Sequence, residues 1–327
     1  MTLASRRQFI HSLAALAATP VLPAMAQAPA GAWPQRPIEL IVPFAAGGGT
    51  DVLARALAEV ARKHLPQDLI VLNRAGASGA VGWTELANAR PDGYKIGIIT
   101  VELTMIPHMG LTKISSDAVL PVARLNADPA TIAVRADSPY RSIEELIAAA
   151  RKDEAAVRIG NAGPGSLGHL AAAALQDKAG VKFNHAPYRG ANPAVLDLLG
   201  GHIEAVAVTP VEVATYVAAG KIRPLAIMAE QRIQAGWEAV PTLKERGIDL
   251  LIGGWRGLAV PRNTPDAVVQ RLNQELKLIL AEPELQKTML AAGAIATYQD
   301  GAAMKARLNA DFTRWSKIAK DKNISSQ

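Results

Sequence analysis

Ile38-Glu39-Leu40-Ile41-Val42-Pro43-Phe44-Ala45-Ala46-Gly47-Gly48-Gly49-Thr50-Asp51 sets the reading of the whole chain. Its first five residues are a near-continuous β-type run, as expected of a strand buried on both faces. A glycine-rich loop follows, and then Leu53, Leu57, Val60 and His64 fall on one stripe of a helix. Glycines let the backbone come close to a ligand, and a helix start exposes N–H donors equivalent to about half a positive charge. A carboxylate or phosphate suits such a place. The plainer alternative is a tight strand-to-helix turn capped by Thr50 or Asp51. No Gly-Lys-Ser/Thr follows, so the loop is not a P-loop.

The same unit recurs downstream. Strands are expected at Leu69–Leu72, Tyr94–Ile99, Ile132–Val134, Val157–Ile159, Val181–His185, Leu225–Met228 and Gly257–Val260. Helices are expected between them, and two amphipathic helices close the chain, the first capped by Thr264 with Val268, Leu272, Leu276 and Ile279 inward. Ser142 with Glu145, and Thr209 with Glu212, read as capping boxes. Helices alternating with apolar strands imply an α/β fold of mostly parallel sheets covered on both faces.

The second glycine loop, Gly160–Gly168, follows Val157–Ile159 and contains Gly163-Pro164-Gly165-Ser166-Leu167-Gly168, formally G-x-G-x-x-G. A dinucleotide site would need an acid after the next strand to hold the ribose, but that strand ends Asn184-His185-Ala186-Pro187. Ser166 is no nucleophile elbow, because Pro164 stands where G-x-S-x-G needs glycine. Two such loops in two halves of one chain suggest one helix N-terminus from each half, aimed at a shared cleft.

Composition narrows the function classes. The chain has no cysteine, which removes disulfides, thiolate zinc sites, iron–sulfur clusters and cysteine nucleophiles. His108, His185 and His202 are scattered without metal-ligand spacing, and no cofactor is expected. Half of the residues are hydrophobic and 20% charged, enough for a sizeable core. A net charge of +6 without a Lys/Arg run does not favour nucleic acid. At the start, Arg6 and Arg7, the apolar run Leu13–Leu22 and Ala24-Met25-Ala26 read as a signal peptide over 1–26, with Ser5-Arg6-Arg7-Gln8-Phe9-Ile10 resembling a twin-arginine signal. Export to the periplasm follows from that reading.

Taken in order, these pieces resemble the Bug family, the extracytoplasmic receptors of tripartite tricarboxylate transporters. The landmarks are Pro37–Phe44 before Gly47, Asn73–Gly79, Pro91-Asp92-Gly93-Tyr94, Gly163–Leu170, Pro187-Tyr188-Arg189-Gly190, Leu198–Glu204, Ala219–Ala226, Pro241-Thr242-Leu243 and Trp255–Pro261. The resemblance runs from about Trp33 to Trp315. It implies a two-lobe, type II periplasmic-binding-protein-like fold, with crossings near Thr131 and Gly253. Lobe 1 would then hold 27–131 and 253–327, and lobe 2 would hold 132–252. It also implies a small carboxylate ligand held by the loops at Phe44–Asp51 and Gly165–His169, largely through backbone groups and waters. Dicarboxylates, tricarboxylates, acidic amino acids and aromatic carboxylates are the family's ligands, and the inner-membrane permease subunits are its partners.

The candidate binding residues are therefore Phe44, Ala45, Gly48, Gly49, Thr50, Asp51, Glu102, Gly165, Ser166, Gly168, His169, Tyr188 and Thr209. Glu102 departs from the family, in which a small or hydroxyl residue is expected at that place. It falls at the end of the strand Tyr94–Ile99, a cleft-lining position in open sheets. Either it faces the cleft and selects a hydroxyl or amino group, or disfavours a second carboxylate, or it is a helix-start carboxylate near the dipole. The segment Glu204-Ala205-Val206-Ala207-Val208-Thr209-Pro210 also departs from the pattern of many members. Trp255 and Arg256 lie at the second crossing, where packing between lobes is expected in preference to ligand contact. A periplasmic enzyme using Glu102 or His169 as a base, or a ligand-binding sensor, remain the alternatives from other classes.

Overall fold

The computed structural model describes residues 33–234 and 236–321. The signal-peptide and twin-arginine readings lie outside them. The described chain folds around two sheets. The first has six strands: β1 (Ile38–Val42), β2 (Leu69–Asn73), β3 (Lys95–Thr100), β4 (Val119–Pro129), β10 (Gly253–Pro261) and β11 (Ile295–Asp300), in the order β11-β4-β10-β3-β1-β2. The second has five: β5 (Thr131–Arg135), β6 (Arg158–Asn161), β7 (Asn184–Pro187), β8 (Ala205–Val208) and β9 (Ile222–Ile227), ordered β7-β6-β8-β5-β9.

Both sheets are mixed, which corrects the mostly parallel expectation. β1 pairs parallel with β2 and β3, and β6 with β7 and β8. The strands next to a change of sheet run the other way: β10 is antiparallel to β3 and β4, and β5 to β8 and β9. A parallel neighbour needs a crossover helix, whereas a strand that arrives from the other sheet need not follow that rule. β4 and β11 carry no clean apolar run and were not foreseen.

The chain changes sheets at neighbouring points. One residue, Ala130, separates β4 from β5, and the return runs from Ile227 to Gly253. Three backbone segments meet there: Ala130 N–H donates to Ile252 O at 2.8 Å, Met228 N–H to Ala130 O at 2.8 Å, and Ile252 N–H to Met228 O at 3.2 Å. Gly253 pairs with Pro129 at the end of the β10–β4 ladder.

Helices cover both faces of each sheet. α1 (Gly49–Ala61), α7 (Asp266–Ala281) and α8 (Pro283–Ala291) bury Leu53, Leu57, Leu276 and Ile279 against Leu40 and Ile98 on one face of the first sheet. On its other face α2 (Ala80–Ala87) and α9 (Gly301–Asp321) bury Trp83, Met304 and Leu308 with Trp255. α3 (Ile143–Lys152) and α4 (Leu167–Ala179) cover one face of the second sheet, and α5 (Ala191–Leu199) and α6 (Pro210–Ala218) the other. Thr264 does not cap α7: its hydroxyl donates to Pro261 O, and the helix starts after Pro265. Some apolar side chains leave their own sheet's core, Val211 packing with the first sheet's α1 side and Leu167 with its α2 side.

Gly168 shows how tightly a helix start is set on its strand. A Cβ there would lie 2.0 Å from Ala207 O on β8. Gly168→Ala must therefore push α4 off the sheet, and it is expected to lower unfolding free energy by roughly 1–3 kcal/mol, as overpacked sites do. Urea denaturation checks this, and an unchanged midpoint would contradict so close a contact.

Candidate functional site

A cleft opens where the two sheets meet, lined by Phe44, Gly48, Gly49 and Thr50 from the first loop and by Ser166, Leu167 and Gly168 from the second. The space among these residues, open solvent at its mouth included, is about 570 Å³. Three strand-to-helix turns reach it. α1 follows β1, α4 follows β6, and α6 follows β8 through Thr209.

The three helix starts are capped differently. At α4, Ser166 Oγ accepts from His169 N–H at 3.2 Å. At α6, Thr209 and Glu212 form the expected capping box, with Thr209 N–H donating to Glu212 at 2.7 Å. The N-cap of α1 is Gly48, which supplies no side-chain acceptor. Thr50 and Asp51 sit inside the first turn of α1. Asp51 folds back to accept from Gly47 N–H at 2.8 Å, Arg55 at 2.9 Å and Asn73 at 2.9 Å, and so staples the loop. Burial opposes its ionisation, but these donors together hold its carboxyl below the usual range.

Arg256 on β10, expected to pack between lobes, lines the cleft itself and is 6% exposed. Its Nε donates to Thr50 Oγ1 at 3.0 Å and its Nη2 to Thr209 Oγ1 at 3.4 Å, while its Nη1 is ion-paired with Asp128. Glu212 lies 3.9 Å from Nη2. Asn126 fixes the arrangement from below, accepting from Arg256 N–H at 3.0 Å and donating to Asp128 at 2.8 Å. Burial pulls the guanidinium down to about 10, against the pull of Glu102. Sequence periodicity could not find Arg256, because its partners come from α1, β4 and α6. Trp255 also borders the cleft, and its indole donates to Asp311 on α9 at 2.7 Å.

Glu102 lies in a short 3-10 turn, Val101–Thr104, after β3, and is 7% exposed. One carboxylate oxygen accepts from the Thr100 hydroxyl and the other from Leu167 N–H at 3.0 Å. Both sequence readings thus meet in one side chain: it lines the cleft and it also sits on a helix start, that of α4 from the opposite sheet.

Thus Phe44, Gly48, Gly49, Thr50, Glu102, Ser166, Gly168 and Thr209 converge on one cleft. Ala45, Asp51, Gly165, His169 and Tyr188 are not among its lining residues. His169 Nδ1 accepts from Gly165 N–H at 3.2 Å and its ring meets His185 edge-on at 5.2 Å; burial lowers its proton affinity. Tyr188 donates to Asp197 at 2.6 Å, and burial with that bond pushes its hydroxyl to about 12. Ala45 packs toward Gly190, and Gly165 toward Met109. Around these residues the two sides touch directly: Ser78 donates to Pro164 O at 2.6 Å, and Asn192 to Ala46 O at 3.0 Å.

Burial, reinforced by the charge of Glu102 and opposed by the Thr209 hydrogen bonds, lifts Glu212 to about 7. A carboxyl raised in this way contributes stability that is complete below its unfolded value and lost as pH rises through the folded value. Relative to Glu212→Gln, which keeps the capping acceptor, the wild-type protein should therefore lose stability between pH 4.5 and about 7, by on the order of 3 kcal/mol. Urea midpoints from pH 4 to 8 test this. Parallel curves for the two proteins would be the contrary result.

A family model described as tripartite tricarboxylate transporter family receptor matches residues 53–324. A Cupriavidus necator protein described as a UPF0065 protein in the gbd 5' region is 37% identical, covering 87% of this chain and 88% of its own. Among solved structures, a Polaromonas TctC solute binding protein without ligand is 50% identical, with 88% of this chain and 99% of its own covered, at a TM-score of 0.63. Two Rhodopseudomonas palustris proteins match at higher TM-scores. One, MatC with bound malate, is 25% identical (88% and 99% covered) at 0.81; the other, with adipate, is 29% identical (88% and 97% covered) at 0.83.

Proposed function

The chain belongs to the tripartite tricarboxylate transporter receptor family and is a solute-binding receptor; on that premise we propose that it captures a small carboxylate between two lobes and passes it to the permease subunits of an inner-membrane transporter. The observation that carries the proposal is the start of α1. Gly48, Gly49 and Thr50 line the cleft, the N-cap has no side-chain oxygen for the first N–H groups of the helix, and Asp51 is engaged by Gly47 N–H, Arg55 and Asn73. An anionic oxygen is what such a terminus lacks.

The residues that do this work are Phe44, Gly48, Gly49 and Thr50 on one side, and Ser166, Gly168 and Thr209 on the other. Among the described residues, lobe 1 is 33–130 with 253–321 and lobe 2 is 131–252, a division supported by the change of sheet at Ala130 and again before Gly253. Capture is binding and closure without chemistry, since neither loop supplies a nucleophile with its base. The malate and adipate carried by two relatives support a carboxylate ligand here. The more identical ligand-free relative matches less closely than those two, as closure would cause. The mature protein acts in the periplasm after removal of 1–26, whose paired arginines suit twin-arginine export.

Gly49 is where closure is most sensitive. A Cβ there would lie 2.4 Å from Val211 and 2.7 Å from Glu212, both on α6. A thermal-shift screen of refolded, ligand-free mature protein against mono-, di- and tricarboxylates is expected to find one responding class, because a ligand of the folded state raises the melting temperature. Gly49→Ala should weaken that ligand by about tenfold or more, near 1.4 kcal/mol. Cooperative unfolding with no response to any acid would end the carboxylate reading.

A further inference from the structure

Four charged side chains line the cleft: Glu102, Asp128, Glu212 and Arg256. Three are carboxylates and one is a guanidinium, and Asp128 already holds the guanidinium in an ion pair. Acid in excess of base is a poor wall for a ligand with two anionic ends. Like charges held close together repel even at the effective dielectric of a protein surface.

The two glycine loops also differ in what they still offer. At the first helix start, α1, the N-cap is Gly48 with no side-chain oxygen, and the carboxylate of Asp51 is taken up by Gly47 N–H, Arg55 and Asn73. At the second, Glu102 from the facing side already accepts Leu167 N–H, and Ser166 accepts His169 N–H. A protein carboxylate thus sits where a ligand's second carboxylate would have to go. Each oxygen of Glu102 accepts one hydrogen bond, from Thr100 or from Leu167, and a carboxylate oxygen has room for a second. What this end of the cleft lacks is a donor, best a cationic one.

We propose that Glu102 makes the cleft selective for a zwitterionic acid, with a carboxylate at one end for the α1 terminus and a cationic nitrogen at the other for Glu102. This rests on the carboxylate-receptor reading and narrows its substrate class. A dicarboxylate would have to displace Glu102 from Leu167 N–H or place its second anion beside it. An ω-amino acid of the same length meets neither obstacle.

The test is calorimetric titration of the refolded, ligand-free mature protein with chain-matched pairs: succinate, glutarate and adipate against 4-aminobutanoate, 5-aminopentanoate and 6-aminohexanoate. At least one amino acid is expected to bind about tenfold or more tightly than its dicarboxylate partner. Glu102→Gln should abolish that preference and Glu102→Asp should retain it, with melting curves confirming that each variant is folded. Should Glu102→Gln not fold, the wild-type comparison decides. A dicarboxylate that binds as tightly as its amino partner, or tighter, overturns this inference and leaves the carboxylate reading standing. A preference that survives Glu102→Gln overturns the assignment to Glu102. Binding by no member of either series also overturns this inference, while the carboxylate reading is decided by the wider thermal-shift screen.

Discussion

Arg256 is a charge taken out of water at the junction of two sheets, and the surroundings of the cleft are arranged to make that tolerable. A buried guanidinium is stable only with its donors met and an opposite charge at hand. Asp128 supplies the charge, Thr50 and Thr209 accept, and Asn126 fixes both the Arg256 backbone and Asp128. The partners come from α1, from β4 and from α6, so a single side chain fixes how the two sides of the cleft meet. Glu212, buried beside this cluster and facing the charge of Glu102, is pushed toward neutrality, while Glu102 rests on a helix terminus.

How much of this could be read from the chain depended on whether its cause was local. The run Ile38–Val42 declared itself because a strand covered on both faces is apolar throughout, and it is buried at four of five positions. The loops at Gly47–Gly49 and Gly163–Gly168 were legible because glycine is required where backbone comes close: Gly49 against α6 and Gly168 against Ala207. The Thr209–Glu212 box was legible from spacing alone. By contrast, β4 contains Pro121, Arg124, Asn126 and Asp128, and so carries no apolar signature, yet its polar residues are the ones that hold Arg256.

Arg256 packs between the two sides, as its place at the second crossing suggests, through Thr50 on one and Thr209 on the other; its partners, distant in the chain, also make it part of the cleft wall. His169 is the converse case. Its place at the start of α4 suggested a donor to ligand, but its ring turns to Gly165 and His185 instead. Glu102 stood between two readings, and the geometry joins them, because the helix it serves belongs to the facing side of the cleft. A local pattern can say that a carboxylate suits a helix start, but not which helix.

The place where the chain changes sheets has a mechanical consequence. Ala130, Met228 and Ile252 are laced by backbone hydrogen bonds into one narrow strap, and the ladder of β4 and β10 runs straight out of it. Strands hinged side by side bend across the strap far more easily than they twist or slide along it. Such a joint has in effect one swing, like a door on a single pin. If the two sides close on a cargo as proposed, they return to the same bite each time, and a cargo of the wrong length is left as a gap or a wedge instead of being met at a new angle. Discrimination by size would then come from the frame as well as from the side chains.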